Sequence, residues 1–183
     1  MGGGKTKIRL VYCGTLGHSY DISCVIEALK SMDNSILSKL EFIIMGDGPK
    51  RIELERKAEN LPCYFTGMLK YPEMVWILNK CDIALNPIMK GAAQSIINKH
   101  MDYAMAGLPV INTQECEEYR NMIVQYGAGI NCRCNNSADI KAAIIQLMND
   151  RQKQSEGSRK MGECEFDRAK TYNKICEVVV GKR

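Results

Sequence analysis

Apolar runs of strand length recur along the chain at residues 8–13, 40–45, 63–66, 83–86 and 108–112, with a weaker one at 129–132. Within IRLVYC, EFIIM and LPVI the hydrophobicity is continuous rather than alternating. Strands covered on both faces show this pattern, so the sheet is expected to be mostly parallel. Between the runs lie longer stretches whose apolar positions follow helical spacing, at about 21–32, 50–60, 72–80, 96–106, 116–126 and 138–149. Ile52, Leu54 and Ala58 are one such set, and Met74, Ile77 and Leu78 another. Helix signals agree with these bounds: Asp21 or Tyr20 precedes the first, Pro72-Glu73 opens the third, Gly107 closes the fourth and Ser137 can cap the sixth.

Strand and helix thus alternate six times. The pattern predicts an α/β fold: a doubly wound, Rossmann-like, mostly parallel six-stranded sheet with helices on both faces and right-handed crossovers. Such sheets bind ligands beyond the carboxyl ends of their strands. After residue 150 the stretch RQKQSEGSRKMGECEFDRAK is expected to be a charged, solvated connector or helix, and YNKICEVVV a last amphipathic helix. No internal repeat or boundary splits the chain. One domain is expected over 7–165, with 1–6 a linker or cloning remnant and 166–183 a C-terminal helix.

Composition narrows the function classes. The chain has 183 residues, 45% hydrophobic and 25% charged, which excludes a disordered chain, a collagen repeat and a coiled-coil rod. No apolar run approaches the roughly 18 residues of a membrane span, and Met1-Gly2-Gly3-Gly4-Lys5 lacks a secretion signal, so a cytoplasmic protein is expected. The net charge of +4 is scattered, and three Phe and one Trp offer few stacking platforms, which argues against a nucleic-acid partner. Nine cysteines without a C-x-x-C pair are expected to be reduced thiols. With histidine only at 18 and 100, the closest cysteine pair, Cys132 and Cys134, lacks the partners of a zinc site, and no metal is expected.

Three loops carry candidate chemistry. The first strand runs into Cys13-Gly14-Thr15-Leu16-Gly17-His18-Ser19-Tyr20-Asp21 and a helix, the arrangement in which a glycine loop and a helix start receive a phosphate. The spacing G-x-x-G is neither a dinucleotide fingerprint nor a lysine-bearing P-loop, and a plain turn remains the alternative. Met45-Gly46-Asp47-Gly48-Pro49 ends the second strand and Phe65-Thr66-Gly67-Met68 the third. In a parallel sheet all three loops share one edge and together can line one cleft. On a helix, Gln94, Asn98 and Asp102 recur every fourth residue close to its start, with Ser95 and Lys99 alongside. This polar stripe near the helix start suits ribose hydroxyls and phosphates, with a solvated helix face as the alternative.

The run N-K-x-x-D-Y-x-x-A-G-x-P-V-I over 98–111 resembles the signature of retaining glycosyltransferases of the family 4 type, which have the GT-B fold. Y-C-G-T-L-G at 12–17, F-I-I-M-G-D-G-P at 42–49, Y-F-T-G at 64–67, C-D-I-A-L-N-P at 81–87 and G-A-G-I at 127–130 match in the same order. The resemblance covers roughly residues 7–180 and implies the C-terminal, nucleotide-sugar-binding half of such an enzyme. It implies that Asp102 holds the donor ribose, that Gly14, Thr15, Gly17 and the start of the helix at 96–106 face the diphosphate, that Met68 lies near the base, and that Gly46 also binds the donor. Transfer would proceed with retention and without a cofactor or catalytic metal, and a UDP-sugar donor is expected over a GDP-sugar from family frequency.

The pattern also departs from the family. Gln94 stands where the first acidic residue of E-x7-E is expected, and the usual basic pair falls at Thr15 and Tyr20. Lys99 is the nearest cation and the candidate for stabilising the leaving phosphate. The resemblance further implies an absent N-terminal domain with the acceptor site, against which Tyr172, Ile175, Val178 and Val179 would pack. The chain alone is therefore expected to bind donor weakly and not to transfer sugar. The full-length protein would act in polysaccharide or glycoconjugate synthesis, and its peripheral association with a membrane is left open. Two other readings stay open: half of a GT-B-like nucleotide-sugar epimerase using His18, or a non-catalytic α/β interaction module.

Overall fold

The computed structural model describes residues 7–92 and 96–167. Six strands, β1 (Ile8–Cys13), β2 (Leu40–Met45), β3 (Cys63–Gly67), β4 (Ile83–Asn86), β5 (Val110–Asn112) and β6 (Gly129–Asn131), form one sheet in the order β3-β2-β1-β4-β5-β6. Every neighbouring pair is parallel. The order reverses between β1 and β4, which makes the carboxyl ends of these two strands the switch point of the sheet.

Alternate residues of β1 feed two separate cores. Leu10 and Tyr12 pack with α1 (Ile22–Lys30), α3 (Arg51–Lys57) and α7 (Ser137–Asn149) on one face. Val11 and Cys13 pack with α4 (Tyr71–Leu78), α5 (Asn98–Met105), α6 (Glu117–Tyr126) and α8 (Gln152–Glu165) on the other. This two-sided burial is the physical cause of the continuous apolar runs. A single turn, α2 (Asn34–Leu37), which the apolar periodicity did not mark, leads into β2.

The expected bounds shift where local chemistry overrides periodicity. The strand expected at 108–112 begins at Val110, because Leu108 N–H closes the end of α5 on Tyr103 O at 3.0 Å and Pro109 has no N–H to pair. Asn136, not Ser137, caps α7, its side chain accepting from Asp139 N–H. Gly107, at φ +67°, does follow the end of α5.

The segment after residue 150 is a helix, and it is not solvated all round. Gly157, Ser158, Met161 and Gly162 of α8 are buried. Ser158 Oγ donates to Leu108 O at 2.7 Å, and a Cβ on Gly157 would lie 2.2 Å from Tyr126 O. Gly157 and Gly162 are therefore where α8 approaches the α6 and α5 backbones. Of the C-terminal helix expected over 166–183, residues 168–183, including Tyr172, Ile175, Val178 and Val179, lie outside the described residues, as does the 1–6 segment.

Candidate functional site

Strand pairing continues past the ends of β1, β2 and β3 and clamps their loops side by side. Gly14 N–H donates to Met45 O, Leu16 N–H to Asp47 O and Gly46 N–H to Gly67 O, each at 2.9 Å. At Gly46, φ +138°, a Cβ would lie 1.9 Å from Gly14 O, so the approach requires glycine. Over this floor opens a cavity of about 250 Å³ lined by Cys13, Gly14, Thr15, Met45, Gly46, Asp47, Met68, Leu69 and Met74. Gly14, Thr15, Gly46 and Met68, singled out separately in the sequence, meet here. Gly17 is not in this lining, and the neighbouring His18 is exposed.

The helix start after the first glycine loop is not open to an anion. Asp21 Oδ1 accepts from Cys24 N–H at 3.0 Å, which places a carboxylate at the α1 N-terminus and repels a phosphate there. The helix start that remains is that of α5, across the switch point.

At α5 the expected four-residue stripe is replaced by a different arrangement. The helix begins at Asn98 rather than at 96, because Ile97 stays extended and its N–H donates to His100 Nδ1 at 3.3 Å. Gln94 and Ser95 lie outside the described residues. Asn98 is exposed, and the deeply placed polar groups are Lys99 and His100.

Lys99 is 8% exposed. Its Nζ lies 4.4 Å from the ring centroid of Tyr12 and 3.9 Å from that of Tyr20, and a Cβ on Gly14 would come within 3.1 Å of it. Among the described residues Nζ has no hydrogen-bond partner. Burial, only slightly opposed by the Cys13 thiol, brings Lys99 down from the usual lysine range to about 7. Tyr20, standing where a cation was looked for in the sequence, thus holds the cation supplied by α5.

Asp102, three residues on along α5, faces a different recess. Its Oδ1 accepts from Tyr71 Oη at 3.0 Å, and it lines a recess of about 230 Å³ with Tyr71, Asn79, Met105 and Arg159 rather than the glycine-floored cavity. Burial raises its carboxyl above the ordinary range while the Tyr71 hydrogen bond opposes the rise. Cys13 joins the two places: it lines the first cavity, its thiol feels both Lys99 and Asp102, and its N–H donates to Tyr103 Oη at 2.9 Å.

The apolar pattern gave no sign of a buried amide ladder across the ends of β4, β5 and β6. Asn86 Nδ2 donates to Asn112 Oδ1 at 2.8 Å, Asn112 Nδ2 donates to Asn131 Oδ1 at 2.9 Å, and Asn86 Nδ2 lies 3.0 Å from His100 Nε2. The His100 ring stacks on Tyr119 at 3.6 Å. Burial, helped by the Lys99 charge, lowers His100 to about 3 and keeps it neutral. The only signal in the sequence was an asparagine at the end of each of three strands, which periodicity counts as a strand boundary.

A family model described as glycosyl transferases group 1 matches residues 7–150. The chain belongs to that family. A GDP-mannose-dependent alpha-(1-6)-phosphatidylinositol dimannoside mannosyltransferase of Mycobacterium tuberculosis is 39% identical over 84 residues, which are 45% of this chain and 22% of that protein. Among solved structures, this group 1 domain is similar in fold to HepE of Anabaena in complex with UDP, with TM-score 0.78 and 15% identity over 97% of this chain and 50% of the other. It is also similar to the C-terminal domain of the group 1 protein LpcC from Francisella tularensis, with TM-score 0.74 and 16% identity over 88% of this chain and 87% of the other. The chain thus has the fold of a GT-B C-terminal domain, and it spans about a fifth of the curated relative and half of HepE. Five of the eight described cysteines are buried, and among the described residues none of the eight forms a disulfide. Among the described residues no helix is long and apolar enough to cross a membrane.

Proposed function

We propose that this domain binds a nucleoside diphosphate sugar at the carboxyl ends of β1, β2 and β3 and the start of α5, as the donor half of a retaining glycosyltransferase of polysaccharide or glycoconjugate synthesis. One observation carries the reading: a buried lysine ammonium without a partner stands beside a glycine-floored cavity at the switch point, where an anion would complete it. The diphosphate would lie against Gly14, Thr15, Lys99 and the first N–H groups of α5, near Asn98. The base would sit toward Gly46 and Met68, with the ribose hydroxyls on Asp102 in place of the Tyr71 hydroxyl. On the family resemblance alone, Gln94 is assigned to the sugar, Ser95 to the donor and Gly17 to the diphosphate.

On this reading Lys99 and the α5 start supply the charge that stabilises the departing diphosphate, and no metal or cofactor is assigned. The cavity is bounded by this domain on one side only. Acceptor binding and transfer are therefore assigned to a second domain across the cleft, and this domain by itself to donor binding. The epimerase alternative needs a histidine acid or base at the sugar. His100 is held neutral inside the amide ladder and His18 lies outside the cavity lining, so the transferase reading is preferred.

Calorimetric titration with UDP-glucose and with GDP-mannose tests the reading and separates the expected uridine donor from the guanosine donor named for the mycobacterial relative. Asp102→Ala should weaken binding of the preferred donor by about 1.5–3 kcal/mol, the cost of a lost hydrogen bond to a charged group. Equal affinity in wild type and variant would remove Asp102 from the ribose. Silence toward both nucleotide sugars would favour the interaction module.

A further inference from the structure

Lys99 is an unusual group to bury beside a cleft. Its Nζ is buried and, among the described residues, unpartnered, and the ring faces of Tyr12 and Tyr20 are its nearest polar company. Cation–π attraction recovers only part of what an ammonium loses on leaving water. The titratable groups that face it are Tyr12 and Cys13 from β1, Tyr20 from the loop that follows, and the neutral His100 from α5. There is no carboxylate among them, since Asp102 accepts from Tyr71 instead. A bound phosphate would be the first anion in this environment.

We propose that the nucleotide sugar binds together with a proton, taken from solvent by the Lys99 amine as a phosphate oxygen comes to face it. The proposal rests on the reading that the diphosphate lies between Gly14 and the α5 start. The step is simple: the Nζ lone pair forms an N–H bond, buffer acid gives up the proton, and no other bond changes. Burial by the protein itself holds Lys99 at about 7. A phosphate within hydrogen-bond distance favours the charged form and returns the group to the ordinary lysine range or above. Binding is then linked to pH with a definite sign. The affinity is greatest where Lys99 is already protonated, and it falls as the pH rises through the value set by burial.

Calorimetry in two buffers of different ionisation enthalpy, HEPES and Tris, counts the proton. UDP-glucose and GDP-mannose serve as ligands because a diphosphate esterified at both ends does not titrate near neutrality. The expected uptake is about 0.9 proton per ligand at pH 8 and about 0.1 at pH 6, with affinity about tenfold weaker at pH 8. Lys99→Arg, whose guanidinium stays charged, should bind with no uptake and with affinity flat across this range. Lys99→Met should keep its fold by thermal melt and lose binding. Wild-type binding at pH 8 without proton uptake overturns the proposal and leaves the donor reading intact, as does wild-type uptake retained in Lys99→Arg. Absence of binding by either nucleotide sugar at pH 6 overturns the donor reading and the proposal together. If the arginine variant fails to fold, the wild-type uptake at the two pH values decides.

Discussion

The two halves of the sheet's carboxyl edge solve the same geometric problem in opposite ways. At β1, β2 and β3 the strand ends carry Gly14, Gly46 and Gly67, the backbones close on one another, and space is left above them. At β4, β5 and β6 the strand ends carry Asn86, Asn112 and Asn131, whose side chains bond to each other and close the edge. Parallel strands end with backbone groups that no further strand will pair. Glycines let neighbouring loops satisfy those groups and leave space directly above the strand ends, whereas amides satisfy them from within and fill that space with side chains. Helix α5 begins where the two halves meet, with His100 turned to the sealed half and Lys99 to the open one.

Breaking the floor of the open half should have the largest effect. Gly46→Ala places a Cβ 1.9 Å from Gly14 O at φ +138°. We expect a loss of at least about 3 kcal/mol in urea unfolding, together with loss of nucleotide binding. In the sealed half, Asn112→Ala removes acceptors and donors shared with Asn86, Gln114 and Asn131. It should cost about 2–4 kcal/mol, because the partners left behind are buried. If both variants lost stability equally but nucleotide affinity survived in Gly46→Ala, the division of labour between the halves would be wrong.

Acid should act on the sealed half before the open one. His100 titrates at about 3 in the fold against an ordinary value near 6.5, so between these values the unfolded chain binds the proton first. The stability is therefore complete above pH 6.5 and is lost as pH falls toward 3. The loss should amount to about 2 kcal/mol between pH 6.5 and 5. Thermal melts should show this decline in the wild type and a flatter one in His100→Gln, and parallel declines would remove His100 as the cause. The smallest effect is expected at the cavity rim: Thr15 is exposed, and Thr15→Val should change stability by no more than about 0.5 kcal/mol. A larger loss would mean that the open half depends on its side chains and not on its backbone.

Much of this architecture is determined by the sequence alone. Continuous apolar runs such as IRLVYC can be buried only between two helical layers, so the number of strands and their mostly parallel sense follow from local composition, while their order in the sheet does not. The glycines at 14 and 46, and Met68, were legible for the same reason, since a turn at a strand end has local chemistry and all such turns share one edge of a parallel sheet. The carboxylate that closes the α1 start, Asp21, was legible as a cap but not as a barrier to phosphate.

What the tertiary structure decided is which polar groups are left without partners. Lys99, His100 and Asp102 are neighbours on one helix and look alike as a polar stripe. Their fates diverge only because Tyr12 and Tyr20 come from β1 and its loop, Asn86 from β4 and Tyr71 from α4. Burial and hydrogen-bond satisfaction are properties of what packs around a residue. The sequence could therefore fix the helix and its place at the switch point, while the three-dimensional packing chose the lysine that is buried between Tyr12 and Tyr20.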